Sequence, residues 1–426
     1  MKLAVVAEAL PNPGTVGSDV FCWGILMHLR DLGHDVLCCA IMAEPSPANR
    51  ADHDAKVRQL DAAGIHLRTF FFPARRTPPS GAARIKELVD PDLSFVFPAT
   101  QLTQSLVAAL EAFSPDSVFV FDSGPVMALH GWKGAPKVAV PGDPAHLARA
   151  FQQKFALRPP LLSLKWLTQA ISSTAFARKF TRELFSSLRS YDRVGYLGAQ
   201  HARWAREHGI DCVYVKMCVA DRVGTAWREK RRRFAGKDKI KILFLGHLGG
   251  TASRVGLDEF VDVTVPLLEK NLGQGTFELH VVGRGLPPDV AQRFKRPGVV
   301  LRGFVEDAMP EYLSADVFLS ATPYPVGIRT RIVEAFSFGT AVVTHPDSAC
   351  GLPELRDGEN VLFGRNGVEW AEAVTRIAKD ATLREKLSVN ARRTYEESFI
   401  PSVSAGQIFG MMKDAIDRRA SARRST

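Results

Sequence analysis

Residues Gly327 to Phe363 read GIRTRIVEAFSFGTAVVTHPDSACGLPELRDGENVLF. The apolar run ADVFLSATPYP (315–325) leads into this stretch as a buried strand. A glycine turn, Gly327, then gives way to a short helix with two arginines at its start, Arg329 and Arg331, and one carboxylate, Glu334. Gly339 ends the helix, and the β-branched run TAVVTH (340–345) follows at once as the next strand. Strand, helix and strand in this order make a crossover unit of a parallel sheet. The helix start offers unpaired N–H groups and the positive end of its dipole, a natural anion site. Arg329 and Arg331 add fork-shaped donors that match a diphosphate. Glu334, one turn further in, can accept hydrogen bonds from a vicinal diol such as a ribose. Phosphate first and diol second is the layout of a sugar nucleotide.

The same alternation extends both ways. Upstream of the stretch, strands are expected at KIKILFLGHLGG (239–250), FELHVVG (277–283) and VVLRGFV (299–305), and downstream of it at VLFG (361–364). The first half repeats the pattern with KLAVVAEAL (2–10), DVLCCAIM (35–42), IHLRTFFF (65–72), DSVFVFD (116–122), KVAVPG (137–142), RVGYLG (193–198) and CVYVKMC (212–218). Each is a continuous apolar or aromatic run, as parallel strands buried on both faces require. Helical segments such as 17–32 and 99–113 lie between them. The Pro-, Arg- and Gly-rich stretch from Pro73 to Pro98 reads as a mobile loop. A charged segment at 221–238 interrupts the alternation and reads as a linker. The organisation expected is therefore α/β: a Rossmann-like domain at 1–220, a second at 239–400, and a helix with a basic tail at 401–426. Two such domains face a ligand cleft with the carboxyl edges of their sheets.

Composition narrows the class. The chain has 426 residues, 46% of them hydrophobic, with 33 glycines, which fits a globular protein of two or three domains. Its six cysteines (22, 38, 39, 212, 218 and 350) are scattered without metal-like spacing, as in a reduced cytoplasmic protein. The apolar start MKLAVVAEAL is too short for a signal-peptide core and reads as a first strand. No apolar run approaches the length of a membrane span. Net charge is +10 and the pI is near 9.4. Residues 145–190 concentrate cations, with Trp166, Phe176, Phe180 and Leu184 interleaved, and WREKRRRFAGKDK (227–239) and the terminal RRASARRST are also basic. Such clusters attract anionic surfaces, and peripheral contact with an anionic membrane is the partner expected. No nucleic-acid-binding motif accompanies the charge, so no nucleic-acid partner is expected.

Other candidate site residues follow strands. Gly14 and Gly17, in PNPGTVGSDV, allow close backbone approach before the first helix, and Ser18 and Asp19 open that helix. The spacing is not the full dinucleotide fingerprint. Asp122 and Asp143 end strands of the first domain, where either can orient an acceptor hydroxyl or act as a base, with His130 and His146 nearby.

The stretch at 327–363 closely resembles the donor-binding signature of retaining glycosyltransferases with the GT-B fold. Gly327, Arg329, Thr330, Arg331, Glu334, Ala335 and Gly339 fill the family's places, with Arg331 where lysine is usual. A better known form has two glutamates eight residues apart; here the first of those places holds Val326. The resemblance covers 239–365 well and the first 40 residues loosely. It implies a glycine-rich loop at Gly14 and Gly17 facing the donor. It also puts His247 where an arginine is common and Arg254 in place of a diphosphate-binding lysine. Gly283 and Arg284, in VVGRG, fall at a turn beside the nucleotide, and Phe304 and Val305 fall where backbone groups read the base. Glu354, in PELRDGEN, falls near the transferred sugar. A last helix crossing back onto the first domain belongs to the same pattern.

The activity implied is transfer of a sugar from a nucleotide-sugar donor to a glycan, lipid-linked or small-molecule acceptor. The nucleotide-sugar is a co-substrate, and neither a cofactor nor a metal is expected. Arg254, Arg329 and Arg331 would neutralise the leaving diphosphate in a front-face displacement, with Asp143 as a candidate at the acceptor. Two other readings stay open: a sugar-nucleotide epimerase of the same fold, and a non-catalytic nucleotide- or glycan-binding protein.

Overall fold

The computed structural model describes residues 1–14, 17–72, 90–91, 93, 100–144, 147, 164–234, 239–323 and 325–424. Most of the expected loop at Pro73–Pro98 and much of the basic 145–190 segment lie outside the described residues. The chain divides into two compact units, Met1–Ala220 with Pro401–Thr426, and Asp221–Ile400.

The first unit is built on β1 (Lys2–Ala7), β2 (Asp35–Ala43), β3 (His66–Phe72), β4 (Ser117–Phe121), β5 (Lys137–Val140), β6 (Arg193–Tyr196) and β7 (Cys212–Tyr214). These pair in parallel in the order β3-β2-β1-β4-β5-β6-β7. The order reverses between β1 and β4, where Leu3 pairs with Val36 on one side and Ser117 on the other. Open α/β sheets bind ligands at the carboxyl ends beside such a reversal. Every residue of β4 and β5 is buried, as the continuous apolar runs predict. β3 is different. It is an edge strand, so His66 is exposed while Phe71 and Phe72 keep 40% and 37% of their surface. An apolar run thus marks the strand, but only its place in the sheet decides whether both faces are covered.

The last helix, Pro401–Arg424, belongs to this unit. Ala405, Ile408, Met412 and Ala415 are fully buried. Gly24 permits the approach: a methyl group there would lie 3.4 Å from the Pro401 side chain and 3.1 Å from Cys218 Sγ. Arg419 closes the far end with two hydrogen bonds to Asp192, at 2.8 and 2.9 Å. Within the helix Leu164–Leu188, Phe176, Phe180, Leu184 and Leu188 are buried in the core. Their spacing of about four residues is therefore a core stripe, and Arg178 and Arg182 lie exposed off it. Lys179 on that helix pairs with Asp90 at 2.6 Å.

The second unit holds β8 (Ile240–Leu245), β9 (Phe277–Val282), β10 (Val299–Gly303), β11 (Val317–Ser320), β12 (Ala341–Thr344) and β13 (Leu362–Phe363). They are parallel in the order β10-β9-β8-β11-β12-β13, reversing between β8 and β11. Helix Trp227–Phe234 packs inside this unit. Trp227 is buried against Gly339, whose φ of +64° no β-carbon would share comfortably, since a methyl there would lie 2.4 Å from the indole. Buried Arg392 ties the start of the unit to its body, holding Asp221 at 2.5 and 3.1 Å and donating to the Ser337 carbonyl. Of the cysteines, five are buried and free and Cys350 is exposed. No helix among the described residues is long and apolar enough to cross a membrane.

Candidate functional site

At the carboxyl edge of the second sheet two glycine turns meet. After β8 the chain reads GHLGG, after β9 GRG, and these turns lock together. Gly246 N–H donates to the Val282 carbonyl at 3.0 Å and Leu248 N–H to the Arg284 carbonyl at 2.9 Å. Gly283 has φ +140°, and a methyl there would sit 1.8 Å from the Gly246 carbonyl oxygen. Gly249 is similarly confined, since a methyl there would lie 2.7 Å from the Gly285 oxygen. Gly256, in helix Thr251–Glu259, faces the Ala321 carbonyl after β11 with room for 2.0 Å only. The ends of β8, β9 and β11 therefore pack main chain against main chain, which only glycine permits at these positions, with the His247 and Ser253 side chains alongside.

Helix Thr330–Ser337 starts beside these turns. Gly327, at φ +74°, makes the turn before it. Ile332, Val333, Ala335 and Phe336 bury one face of the helix, which fixes its rotation. Arg331, half-buried, then reaches back so that Nη1 lies 4.0 Å from the point a Gly246 methyl would occupy. Arg329 turns onto its own loop and donates to the Val326 carbonyl. Arg331 is thus brought to the β8 turn.

Glu334 lies on the same helix and accepts a hydrogen bond from Tyr312 Oη at 3.0 Å on Oε2. Burial raises its carboxyl above the usual range, while the Arg331 guanidinium, the Tyr312 hydroxyl and Arg222 act against that rise. Nothing in the sequence marked Tyr312, which stands 22 residues from its partner. Arg284 and Phe304 are also brought together, with the guanidinium carbon 5.1 Å from the ring centroid. The Phe304 ring is 61% exposed, and Val305 beside it is half-buried. His247 is exposed. Arg254 lies in helix Thr251–Glu259, and its side chain is outside the described residues. Glu354 stands in a turn closed by Asn360, whose Nδ2 donates to the Glu354 carbonyl at 2.9 Å and whose Oδ1 accepts from Arg356 N–H at 2.8 Å.

In the first unit, carboxylates gather at the carboxyl edge. Asp19 is buried and accepts from Asn12 Nδ2 at 3.2 Å, and Asn12 Oδ1 accepts from Gly14 N–H at 3.0 Å. Gly17 opens helix Gly17–Asp31. Asp122, at φ +72°, presses over Gly142, where a methyl would lie 2.7 Å from Oδ1. Its carboxyl is pushed well up by burial and then by Glu8, Asp143 and Asp19. Glu8, which the sequence did not single out, accepts from Gly124 N–H at 3.0 Å. Asp143 is half-exposed, 3.5 Å from the Nδ1 of buried His201. His130 is engaged with the Met127 carbonyl at 2.8 Å, and His146 lies outside the described residues. Among the described residues no group of three or more His, Cys, Asp or Glu could hold a metal ion.

Comparison with known proteins bears on this geometry. Residues 239–380 match the family model described as Glycosyl transferases group 1. No curated protein matches the sequence significantly. Among solved structures, sucrose-phosphate synthase from Thermosynechococcus elongatus superposes with a TM-score of 0.67 at 13% identity, over 98% of this chain and 100% of that one. HepE from Anabaena, in complex with UDP and glucose, gives a TM-score of 0.62 at 13% identity, over 96% of this chain and 99% of that one. A TarM variant from S. aureus, in complex with fondaparinux, alpha-GlcNAc-glycerol and UDP, gives 0.63 at 11% identity, over 97% and 100%. Two parallel sheets of this kind make the fold that of the GT-B glycosyltransferases.

Proposed function

We propose that this chain, which carries a Glycosyl transferases group 1 domain at 239–380, is a retaining glycosyltransferase that uses a nucleotide-sugar donor without a metal. The observation that carries the reading is Arg331 brought against the glycine-walled β8 turn from a neighbouring helix start. A fixed cation and a helix N-terminus together suit a diphosphate. They would hold it through the moment when negative charge builds on the leaving group, and that differential binding is what accelerates transfer. Arg329 and Arg254 would add charge, and Glu334 would take the ribose hydroxyls. Arg284, Phe304 and Val305 would border the base. HepE and TarM were each solved with UDP, which makes uridine the first base to try. The first unit would take a glycan or lipid-linked acceptor, with Asp143 beside its hydroxyl. The scattered free cysteines support a cytoplasmic place and the basic charge supports contact with the inner membrane face, which predicts sedimentation with anionic vesicles that fades at high salt.

The direct test is a thermal-shift series with UDP, GDP, ADP, CMP and dTDP, with and without EDTA. A ligand at a hundred times its Kd adds about 2.7 kcal/mol to the folded state, a readily measured rise. One nucleotide stabilising the protein regardless of EDTA, with the shift abolished in Arg331→Ala, is the expected result. Equal shifts in wild type and variant would remove the diphosphate role from Arg331.

A further inference from the structure

The hydrogen bond between Tyr312 and Glu334 goes further than holding two side chains together. Tyr312 is 1% exposed, and its position is determined from three sides. Its ring stacks on Phe338 (centroids 5.3 Å apart, planes at 19°) and meets the edge of Phe318 at 5.5 Å. Its carbonyl accepts from Thr340 Oγ1 at 2.9 Å and from Arg231 Nη1 at 3.2 Å. Its neighbour Glu311 anchors the short helix Met309–Ser314 to the sheet, holding Lys241 at 3.0 Å, His280 at 3.1 Å and Arg302 at 3.0 Å. The phenol therefore cannot follow Glu334 if Glu334 moves; Glu334 must come to it.

Burial, with the Glu334 carboxylate beside it, pushes the Tyr312 phenol well above its ordinary value, so at working pH it is a donor. Its oxygen lies closer to Glu334 Oε2 (3.0 Å) than to the Arg331 carbonyl (3.4 Å), so its single proton goes to the carboxylate. With Oε2 taken, Oε1 is the oxygen that no hydrogen bond reaches among the described residues.

We propose that Tyr312 is a positioning residue that fixes Glu334 so that its free oxygen takes the sugar hydroxyls of a ribonucleoside diphosphate, and thereby sets discrimination against 2′-deoxyribonucleotides. The inference rests on the reading of Glu334 as the ribose-binding carboxylate. A fixed acceptor loses its bond outright when a hydroxyl is missing, whereas a carboxylate free to turn finds another partner or a water. Tyr312 also helps keep that acceptor ionised against its burial, together with Arg331 and Arg222.

The experiment is calorimetric titration of the full chain with UDP, GDP and ADP and their 2′-deoxy counterparts, across about pH 5 to 8. It compares wild type, Tyr312→Phe, Phe338→Leu and Glu334→Gln. Wild type is expected to prefer the best ribonucleotide by roughly tenfold or more. Tyr312→Phe keeps the ring and its packing but should cut that preference to below about threefold and shift the acidic loss of binding to higher pH. Phe338→Leu keeps the hydroxyl but frees the ring, and should give an intermediate ratio. Wild-type ratios and pH profiles in both ring variants, with the preference lost in Glu334→Gln, would overturn the role of Tyr312 alone. A preference unchanged in Glu334→Gln, or no binding of any nucleotide to wild type, would overturn the ribose reading and this inference with it.

Discussion

Two glycines with positive φ separate conformational need from steric need. Gly33 has φ +78° with nothing within 4 Å of an added methyl, whereas Gly283 has φ +140° and a carbonyl oxygen 1.8 Å away. Gly33→Ala should cost about 1 kcal/mol, the strain of an L residue in that region. Gly283→Ala must displace the β8 turn as well, and should cost more than about 3 kcal/mol and abolish nucleotide binding. Urea unfolding of both variants checks the pair; equal costs would mean that the β8 and β9 turns are not in contact. Lys137 is a residue-scale case of another kind. It is 1% exposed, donates to the Leu129 and His130 carbonyls at 2.6 and 3.0 Å, and lies over the Tyr191 ring. Burial, then Arg419 and Lys133, pull its ammonium down to about 8, with Asp192 opposing. The folded value lies below the unfolded one, about 10.4. Between these two values the unfolded chain holds a proton that the native chain lacks, so this group's contribution to stability rises with pH. Lys137→Met removes that contribution. The stability difference, wild type minus variant, should therefore grow in favour of wild type by about 3 kcal/mol from pH 7 to above pH 10. A flat difference would show that Lys137 is hydrated in solution.

At the scale of elements, the helix Met309–Ser314 depends on one carboxylate. Hydrogen bonding from His280, helped by Lys241 and opposed by burial, holds Glu311 down at about 2. Here the folded value is depressed, so the stability it lends is present above the unfolded pKa of about 4.3 and is lost as pH falls toward 2. Wild type should lose about 2–3 kcal/mol from this group across that window, a loss that Glu311→Gln would no longer show in urea midpoints measured at pH 6 and pH 2. Parallel slopes in the two proteins would refute the anchoring. This network shows where the sequence stopped being legible. Strands were readable because burial on both faces writes a continuous apolar run, and the Gly327–Gly339 crossover was readable because turn, helix and strand adjoin. Glu311 and Tyr312 sit in a six-residue helix too short to show a period, and their partners come from other strands and another helix. The same holds for Arg331 and Gly246: each was visible as a type, but their approach is a property of the sheet order. The phenylalanines of the helix Leu164–Leu188 illustrate the reverse, since Phe176 and Phe180, noted in the sequence only as interleaved with a basic cluster, are core.

At the scale of the whole molecule, the two units are built differently along the chain. Asp221–Ile400 is continuous, and its ends are tied to its own body by Arg392 on Asp221, by Trp227 on Gly339, and by Arg231 on the Tyr312 and Ala315 carbonyls at 3.2 and 2.8 Å. The first unit is discontinuous, and takes its last helix from after residue 400. That helix covers helix Gly17–Asp31 and strands β4 to β6, and burial of Ile408 and Met412 alone contributes about 1.5–3 kcal/mol each. Gln407 adds a hydrogen bond from Lys216 N–H at 2.9 Å, and Arg419 holds Asp192 beside Lys137. Domain stabilities are only about 5–15 kcal/mol, so losing the helix should remove most of the first unit's margin. Residues 221–400 expressed alone should therefore melt cooperatively and, if the donor reading holds, bind the same nucleotide as the full chain. Residues 1–220 alone should expose apolar surface and aggregate, and should be rescued by the 401–424 segment joined through a flexible linker or added as a peptide. A cooperative melt for 1–220 without that segment would show that the helix is an accessory to the first unit rather than part of its core.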